Sequence, residues 1–542
     1  MASISPSSLT ASQPPGWPAR DAAHLLVNGD EMANLEQQLF ASGLPVEALM
    51  EKAALAVVRR LLAQHSHELE HHGAVALVGP GHNGGDGLVV ARELHLAGYA
   101  VAIWSPFERH KPLTASHLSH ARWLGIPSLA APPDPAAAAL WIDALFGIGQ
   151  RRPPEPALLA LLVERQRLRP GGLVAIDVPT GLCADQGRCL GSHAACARRT
   201  YSLGLRKTGL VQDQALAWVG ELERLDLGLP AALLNQLPAD QPLGLAAADL
   251  ATAPWPEPEP GAAKYGRGRL LVLAGSRHYP GAAALALAGA SASGCGSLRA
   301  ALPHRLASKL WSLAPHVVVS RSLGCGSGGE LLLAALQADD LERLDAVLLG
   351  PGLGDGGGSG TGGGDGEAWG LLQHFPGLLV LDADGLNRLA QIGEGATTWL
   401  QRRQGPSWIT PHAGEFARLF PEWQALPPLE AAAAAARASG ASVLLKGART
   451  VVASATGERW QLLAAAPAAA RAGLGDVLAG YAGGLGALAI ATGSGAPASQ
   501  LATAALAHAC AGMQRAGQGR GCASPGAVAE ALAGISNSGG GD

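Results

Sequence analysis

The sequence predicts an α/β protein with two open, mainly parallel sheets covered by helices. Short apolar runs typical of buried strands alternate with Ala- and Leu-rich helical runs in both halves of the chain. A stretch rich in Pro, Ala and acidic residues, 243–262, lies between the halves and predicts a linker of limited flexibility. The length of 542 residues also favours more than one core. We therefore expect two domains that fold around separate sheets.

The strand-like runs follow one another in the order that such sheets need. In the first half they are residues 74–78, 101–104, 140–142 and 173–176, and in the second half 270–274, 346–349, 378–381 and 443–445.

The ends of the chain and one internal stretch have the composition of irregular segments. Residues 1–20 are rich in Ser, Pro and Ala, with no apolar core of a signal peptide, and predict a disordered tail. The Gly-rich stretch 354–367 predicts a tolerated loop insertion. We place the domains at 21–242 and 263–535, followed by a flexible tail at 536–542.

The composition limits which partners and which cellular compartment we expect. The formal net charge is -4, and 48% of the residues are hydrophobic, so no basic face for nucleic acid is expected. Seven cysteines form no CxxC pair, and an odd number cannot all be paired, which favours a reducing cytoplasm. The apolar run 477–492 is interrupted by glycines and preceded by Asp476, which favours a buried helix over a membrane span.

A glycine loop follows the first predicted strand. The sequence GPGHNGGDG, residues 79–87, fits GxGxxG literally and precedes a helical run. A dinucleotide-binding fingerprint would also need an acid at the end of the next strand, where the chain has WSP at 104–106. The loop therefore indicates a ligand site at a sheet edge more than a dehydrogenase.

Three polar side chains should meet near this loop. Asp143 and Asp177 each follow an apolar strand, and Asn83 lies in the glycine loop. The carboxyl ends of parallel strands share one edge of the sheet, so these oxygens should converge. Such a cluster can hold a hard cation or take part in proton transfer.

The second half contains a glycine-flanked acid, Asp476, at the start of an apolar segment. The N–H groups of residues 473–476 can point at an anion, which indicates phosphoryl chemistry, although an ordinary helix start has the same pattern. Four upstream motifs accompany it: GPGLG at 350–354, LDADGLN at 381–387, TPHAGE at 410–415 and LLKGART at 444–450.

These second-half motifs together resemble the ADP/ATP-dependent NAD(P)H-hydrate dehydratases of the ribokinase-like superfamily. In the first half NGGDG, IDALFGIG, AIDVPTGL and GLRKTGL together resemble the NAD(P)H-hydrate epimerases. The resemblance implies an N-terminal Rossmann-like three-layer sandwich and a C-terminal ribokinase-like three-layer sandwich. It implies that the first domain exchanges the R and S epimers of NAD(P)HX. The second would dehydrate the S epimer to NAD(P)H at the expense of ADP or ATP, through a phosphorylated intermediate.

The resemblance also implies roles for individual residues. Catalysis would fall to Asp177 and Lys207 in the first domain and Asp476 in the second. Substrate contacts would come from His82, Asn83, Gly84, Gly85, Asp86, Gly147, Ile148, Gly149, Gln150, Asp177, Ala282, Gly352, His412 and Asp476. Nucleotide contacts would come from Lys446, Gly447, Ala448, Arg449, Thr450 and Gly475, and potassium ligands from Asn83, Asp143 and Thr180.

The implied cofactors are K⁺ in the first domain and Mg²⁺ with ADP in the second. The expected partners are NADHX or NADPHX and ADP or ATP, with no nucleic acid, no membrane and a homo-oligomeric state. The sequence leaves open which nucleotide and which hydrate are preferred. An alternative is a vitamin or sugar kinase of the ribokinase-like superfamily fused to a non-catalytic Rossmann-like ligand-binding module, which would release a stable phosphorylated product.

Overall fold

Two large sheets organise the computed structural model, which describes residues 16–354, 365–519 and 521–537. In these ranges a six-stranded sheet lies in the N-terminal half, a ten-stranded sheet in the C-terminal half, and a two-stranded sheet beside the first. The strands are β1 Leu26–Val27, β2 Ala74–Val78, β3 Val101–Trp104, β4 Leu140–Ala144, β5 Leu173–Ile176, β6 Arg199–Leu203, β7 Arg206–Lys207, β8 Glu221–Leu225, β9 Leu243–Leu245, β10 Arg269–Leu273, β11 Ser297–Pro303, β12 Val318–Leu323, β13 Ala346–Leu349, β14 Leu378–Leu381, β15 Ser407–Ile409, β16 Ser442–Leu445, β17 Val451–Ala453 and β18 Arg459–Leu462. Every strand predicted from the sequence is confirmed.

Helices cover both faces of the two large sheets. They are α1 Gly29–Ala41, α2 Val46–His72, α3 His82–Leu96, α4 Pro112–Trp123, α5 Pro156–Leu168, α6 Leu216–Val219, α7 Ala231–Leu234, α8 Pro280–Ala292, α9 His304–Ala307, α10 Leu310–Leu313, α11 Ala338–Leu341, α12 Asp365–His374, α13 Ala383–Leu389, α14 Ala396–Gln401, α15 Ala413–Leu419, α16 Pro428–Ser439, α17 Leu474–Ala491, α18 Ala498–Gly517 and α19 Pro525–Asn537.

The N-terminal sheet has the strand order β3-β2-β4-β5-β6-β8, with all neighbours parallel. Successive side chains of a strand point to opposite faces. In β2, Ala76 accordingly packs with α2 and α3 in one core, whereas Leu77 packs with α5 in another. The prediction of a three-layer α/β domain is confirmed.

The C-terminal sheet has the order β12-β11-β10-β13-β14-β15-β16-β17-β18-β9. The strands are parallel from β12 to β16, and β17 is antiparallel to both of its neighbours. Val272 of β10 packs with α8 and α17 on one face, and Leu273 packs with α13 and α16 on the other. This half is therefore also a three-layer sandwich.

Helix α17 carries Asp476 and lies in the middle of a core. It is long and apolar enough to cross a membrane by length and composition, and 72% of it is buried inside the protein. Its glycines allow close packing, since a Cβ on Gly480 would lie 1.9 Å from the carbonyl oxygen of Ala286 in α8. The expected buried helix is thus found, and its fixed position also fixes Asp476.

The segment predicted as a linker, 243–262, begins inside the second sheet. Its first residues form β9, which pairs with β18 in parallel and makes a bridge between Leu243 and Leu25. An edge strand offers unpaired N–H and C=O groups, and β9 satisfies those of β18. The Pro-rich composition did not predict this short strand. The connection between the domains is therefore partly structured and not only a spacer.

The tail predicted to be disordered, 1–20, makes defined contacts in its described part. The Trp17 indole donates to the carbonyl oxygen of Asp249 at 3.0 Å, and the Trp460 indole donates to that of Trp17 at 3.0 Å. The composition of the tail predicted disorder, although its one aromatic residue, Trp17, packs against a core of the second domain. The predictions for residues 1–15, for 355–364 of the Gly-rich stretch and for 538–542 lie outside the described residues.

Candidate functional site

The first site forms where β2, β4 and β5 end at the same edge of their sheet. Between β2 and α3 the chain turns so tightly that a Cβ on Gly79 would lie 1.6 Å from the carbonyl oxygen of Leu145. A glycine is needed there to bring the start of α3, which carries Asn83, against the end of β4. The predicted convergence of Asn83, Asp143 and Asp177 thus follows from the topology.

Asp143 is fully buried and held by three donors. Its carboxylate accepts the N–H and the hydroxyl of Thr180 at 2.8 and 2.7 Å, and the N–H of Leu145 at 3.2 Å. Burial raises the pKa of Asp143 to about 6, against the lowering effect of those hydrogen bonds. In the first turn of α3, the buried Oδ1 of Asn83 has no hydrogen-bond partner among the described residues. A buried amide oxygen without a donor is an oxygen that a cation can use as a ligand.

Asp177 and Lys207 form a buried ion pair in the same site. The Lys207 side chain is 1% exposed, and its ammonium group donates to Asp177 Oδ1 and, at 2.7 Å, to the carbonyl oxygen of Leu203. Asp177 has a φ of 67°, a conformation that few residues other than glycine adopt. Such backbone strain concentrates at functional sites, because the surroundings must hold the residue in place.

A cavity of about 550 Å³ lies over this pair and collects most of the predicted substrate-binding residues. Its lining includes His82, Asn83, Asp86, Gly147, Ile148, Gly149, Gln150 and Asp177. Gly84 and Gly85 lie behind that lining, where they pack against the backbone of Gly79 and the side chain of Met50. Their contact with a ligand stays a prediction.

Glu36 of α1 also lines the cavity and was missed by the sequence reasoning. Burial raises its pKa to about 7, with a further upward contribution from Asp177 and a downward one from Lys207. Asp86 has a pKa well above its usual range because of burial and the charges of Asp177 and Glu36. No local signal marked Glu36, because an acid in an amphipathic helix usually faces solvent. The site thus holds protonatable carboxyl groups beside a fixed ion pair.

The second site lies at the first turn of α17. Gly473 precedes the helix with a φ of 92°, and Asp476 is in the first turn, where the backbone N–H groups have no partner within the helix. Burial raises the pKa of Asp476 to about 7, with Asp382 adding to the rise and Lys446 opposing it. The group can therefore change protonation near neutral pH, as a general base must.

Lys446 lies between Asp476 and two acids that the sequence reasoning did not single out. Its ammonium group is 2.6 Å from Asp382 Oδ1 and 3.9 Å from Glu415 Oε2. Asp382 is buried and also accepts the hydroxyl of Thr410 at 2.7 Å. Burial lowers the pKa of Lys446, but the two acids outweigh it and the net shift is upward. Asp382 and Glu415 follow β14 and β15, and this placement after strands is a signal that could have found them.

His412 caps α15 at the rim of the second site. Its Nδ1 accepts the N–H of Gly414 at 3.0 Å, and its Nε2 lies 3.3 Å from Glu415 Oε1, while the side chain is 54% exposed. Ala282 and Gly352 lie against each other, since a Cβ on Gly352 would lie 2.6 Å from that of Ala282. The contacts of His412, Ala282 and Gly352 with a ligand stay predictions.

A second cavity, of about 320 Å³, adjoins Lys446 and contains most of the predicted nucleotide-binding residues. Its lining includes Lys446, Gly447, Ala448, Thr450 and Gly475. The Arg449 side chain instead turns towards the first domain and donates to the carbonyl oxygen of Leu210 at 3.0 Å. His508 lies in the wall with an unpartnered Nε2, and burial lowers its pKa to about 4. The imidazole is therefore neutral at physiological pH.

Two α/β domains with buried acids and a paired lysine at a sheet edge define an enzyme with two active sites. The family described as YjeF-related protein N-terminus matches residues 46–209, and the family described as NAD(P)H-hydrate dehydratase matches residues 270–530. Among solved structures, a ribokinase-like superfamily protein of Enterococcus faecalis is similar at 22% identity and a TM-score of 0.45, over 54% of this chain and 95% of its own.

Curated relatives match both halves together. The bifunctional NAD(P)H-hydrate repair enzyme of Gloeobacter violaceus is 42% identical over 85% of this chain and 88% of its own length. That of Synechocystis is 43% identical over 85% of each chain. The chain belongs to the family of bifunctional NAD(P)H-hydrate repair enzymes.

Proposed function

We propose that the chain restores hydrated NADH and NADPH in two steps. The first domain exchanges the R and S epimers of the hydrate, and the second dehydrates the S epimer with ADP or ATP as phosphoryl donor. The observation that carries the proposal is that each domain holds a lysine paired with a buried acid beside a cavity, Lys207 with Asp177 and Lys446 with Asp382. The names of the full-length relatives support the same substrate.

In the second domain, Asp476 would accept the proton of the substrate hydroxyl as that oxygen attacks the terminal phosphoryl group of ADP or ATP, with AMP or ADP as the leaving group. Hydroxide is a poor leaving group, and phosphate is a better one. The lone pair of the ring nitrogen then expels phosphate, and a proton leaves the adjacent carbon to restore the double bond. Lys446 and the N–H groups at the start of α17 would neutralise charge on the transferring group.

Mg²⁺ would enter the second site with the nucleotide. Across the described ranges, no group of three or more His, Cys, Asp or Glu side chains could hold a metal ion. Magnesium is commonly held by one or two carboxylates together with substrate phosphates, so a preformed protein cage is not needed. The acids around Lys446 fit that arrangement.

In the first domain, exchange of the R and S epimers needs proton transfer to and from the hydroxyl group of the hydrate. Asp177 is positioned by Lys207 and faces the cavity, and Glu36 can hold or release a proton near neutral pH. Protonation of the departing hydroxyl by one group and activation of the returning water by another would invert the centre. Asp177 and Lys207 are accordingly our proposed catalytic pair.

Asn83, Asp143 and Thr180 would hold K⁺ in the first domain. The partnerless Asn83 Oδ1 and the buried Asp143 carboxylate fit a cation. Replacing Na⁺ by K⁺ should raise the melting temperature of the protein by about 3 °C, because a ligand that binds only the folded state stabilises it. The Asp143→Asn variant should show no such difference, whereas Asp226→Asn, at an exposed site of the same domain, should retain it. Equal melting temperatures of the parent in both salts would contradict the potassium site.

The whole function is tested by the absorbance of reduced nicotinamide after addition of mixed hydrate epimers. Full recovery with ADP or ATP, and none without nucleotide, is the expected result. A stable phosphorylated product without recovered absorbance would favour the vitamin or sugar kinase, and recovery of only the S fraction would indicate a non-catalytic first domain. The homo-oligomeric state and the cytoplasmic location stay predictions, to be checked by light scattering and cell fractionation.

A further inference from the structure

One loop of the second site is held by a carboxylate of the first domain. Asp213 Oδ2 accepts the N–H of Ala448 at 2.7 Å, and Asp213 Oδ1 accepts the N–H of Arg449 at 2.7 Å. Both acceptors are ionised oxygens of one side chain, and such charge-assisted pairs are stronger than neutral hydrogen bonds. The contact joins positions more than 200 residues apart in the chain, across the two domains.

The loop backbone comes close to this carboxylate although both are exposed. A Cβ on Gly447 would lie 2.5 Å from Asp213 Oδ2. The carbonyl oxygen of Arg449 accepts the side-chain amide of Gln461 at 2.7 Å, and Gln461 in turn accepts that of Gln212 at 3.2 Å. Asp213 therefore contacts the loop directly, and Gln212 contacts it through Gln461.

Asp213 accepts two N–H groups of the loop but is not in the lining of the nucleotide cavity. Lys446, Gly447, Ala448 and Thr450 line that cavity, while Arg449 is drawn to the first domain. Gly447 and Ala448 are otherwise exposed. An exposed loop that must order itself on binding lowers affinity, and a loop held in place beforehand avoids this loss.

We propose that Asp213 is a positioning residue for the nucleotide site of the other domain. Its carboxylate holds the backbone of residues 447–449 so that Lys446 and Thr450 face the nucleotide. The inference rests on the proposed function of this loop. It predicts that nucleotide affinity in the second domain depends on a residue of the first, although Asp213 does not touch the nucleotide.

The test compares Asp213→Ala with Asp240→Ala in the full chain. Asp240 is a matched control, because it also pairs across the domains, with Arg437 at 3.3 Å and Arg459 at 3.4 Å, but away from the loop. We expect Asp213→Ala to raise the Kd and KM for ADP or ATP about tenfold, with kcat changed less than about threefold. Epimer exchange should stay at the parent rate and report an intact first domain. Asp240→Ala should behave as the parent.

A second variant changes the same contact on the side of the loop. Gly447→Ala places a methyl group against Asp213 Oδ2 and should raise the nucleotide Kd in the same direction. An unchanged nucleotide Kd in Asp213→Ala, or an equal rise in Asp240→Ala, would overturn the inference. If the parent itself showed no nucleotide binding by calorimetry, the proposed function of the site would fail first. The two failures are thus distinguishable.

Discussion

Replacing Asp476 by Asn is expected to lower the dehydration rate by about two to four orders of magnitude, the usual effect of removing a positioned general base. The amide has nearly the same shape as the carboxylate but cannot accept the substrate proton. Epimer exchange should continue at the parent rate, because the groups that we propose for it lie at the edge of the other sheet. The measurement is the recovery of reduced-nicotinamide absorbance from purified S hydrate, with Asp339→Asn as an exposed control in the same domain.

The pH profile gives a second readout of the same residue. Burial raises the pKa of Asp476 to about 7, and the base must be ionised to act. The kcat/KM of dehydration should therefore fall about tenfold per pH unit below pH 7 and level off above it. A near-parent rate in Asp476→Asn, or a flat profile between pH 5.5 and about 7, would mean that another group takes the proton.

Replacing Asp177 by Asn should reduce epimer exchange at least about a hundredfold, because the charge that faces the cavity is lost. Asn tolerates a positive φ as well as Asp does, so the backbone at this strained position can be kept. Dehydration should be untouched, and a mixture of epimers should give a fast phase for the S fraction followed by a stall. The measurement is the amplitude of the fast phase, which reports the S fraction, and the rate of the slow phase, which reports epimer exchange.

Loss of Asp177 also leaves Lys207 buried without its partner charge. Breaking a buried ion pair from one side costs about 3–5 kcal/mol, so the single variant needs a stability control. The double variant Asp177→Asn with Lys207→Met removes both charges and should regain stability without regaining exchange. If exchange returned along with stability, the ion pair would be structural only, and Glu36 and Asp86 would become the candidates for proton transfer.

Predictions that depended on strand patterns agree with the structure. Asp143 and Asp177 could be assigned to one edge from sequence because Asp143 lies near the end of β4 and Asp177 follows β5, and parallel strands share their carboxyl edge. Glu36 could not be placed at this site from the sequence, because it reaches the site from a helix near the start of the chain. Asp382 and Glu415 lie within motifs that were recognised, yet their closeness to Lys446 depends on the neighbouring strands β14, β15 and β16.

The sequence by itself determined the two α/β domains, eight of the strands and the motifs that carry Asn83, Asp177, Lys446 and Asp476. Those features are encoded by hydrophobic period, by glycines and by short motifs, which act over a few residues. Only the tertiary structure decided that β9 joins the second sheet and that Asp213 holds the loop at 447–449. Both depend on how one domain packs on the other, and the energy of such contacts comes from groups hundreds of residues apart that leave no periodic trace in the chain.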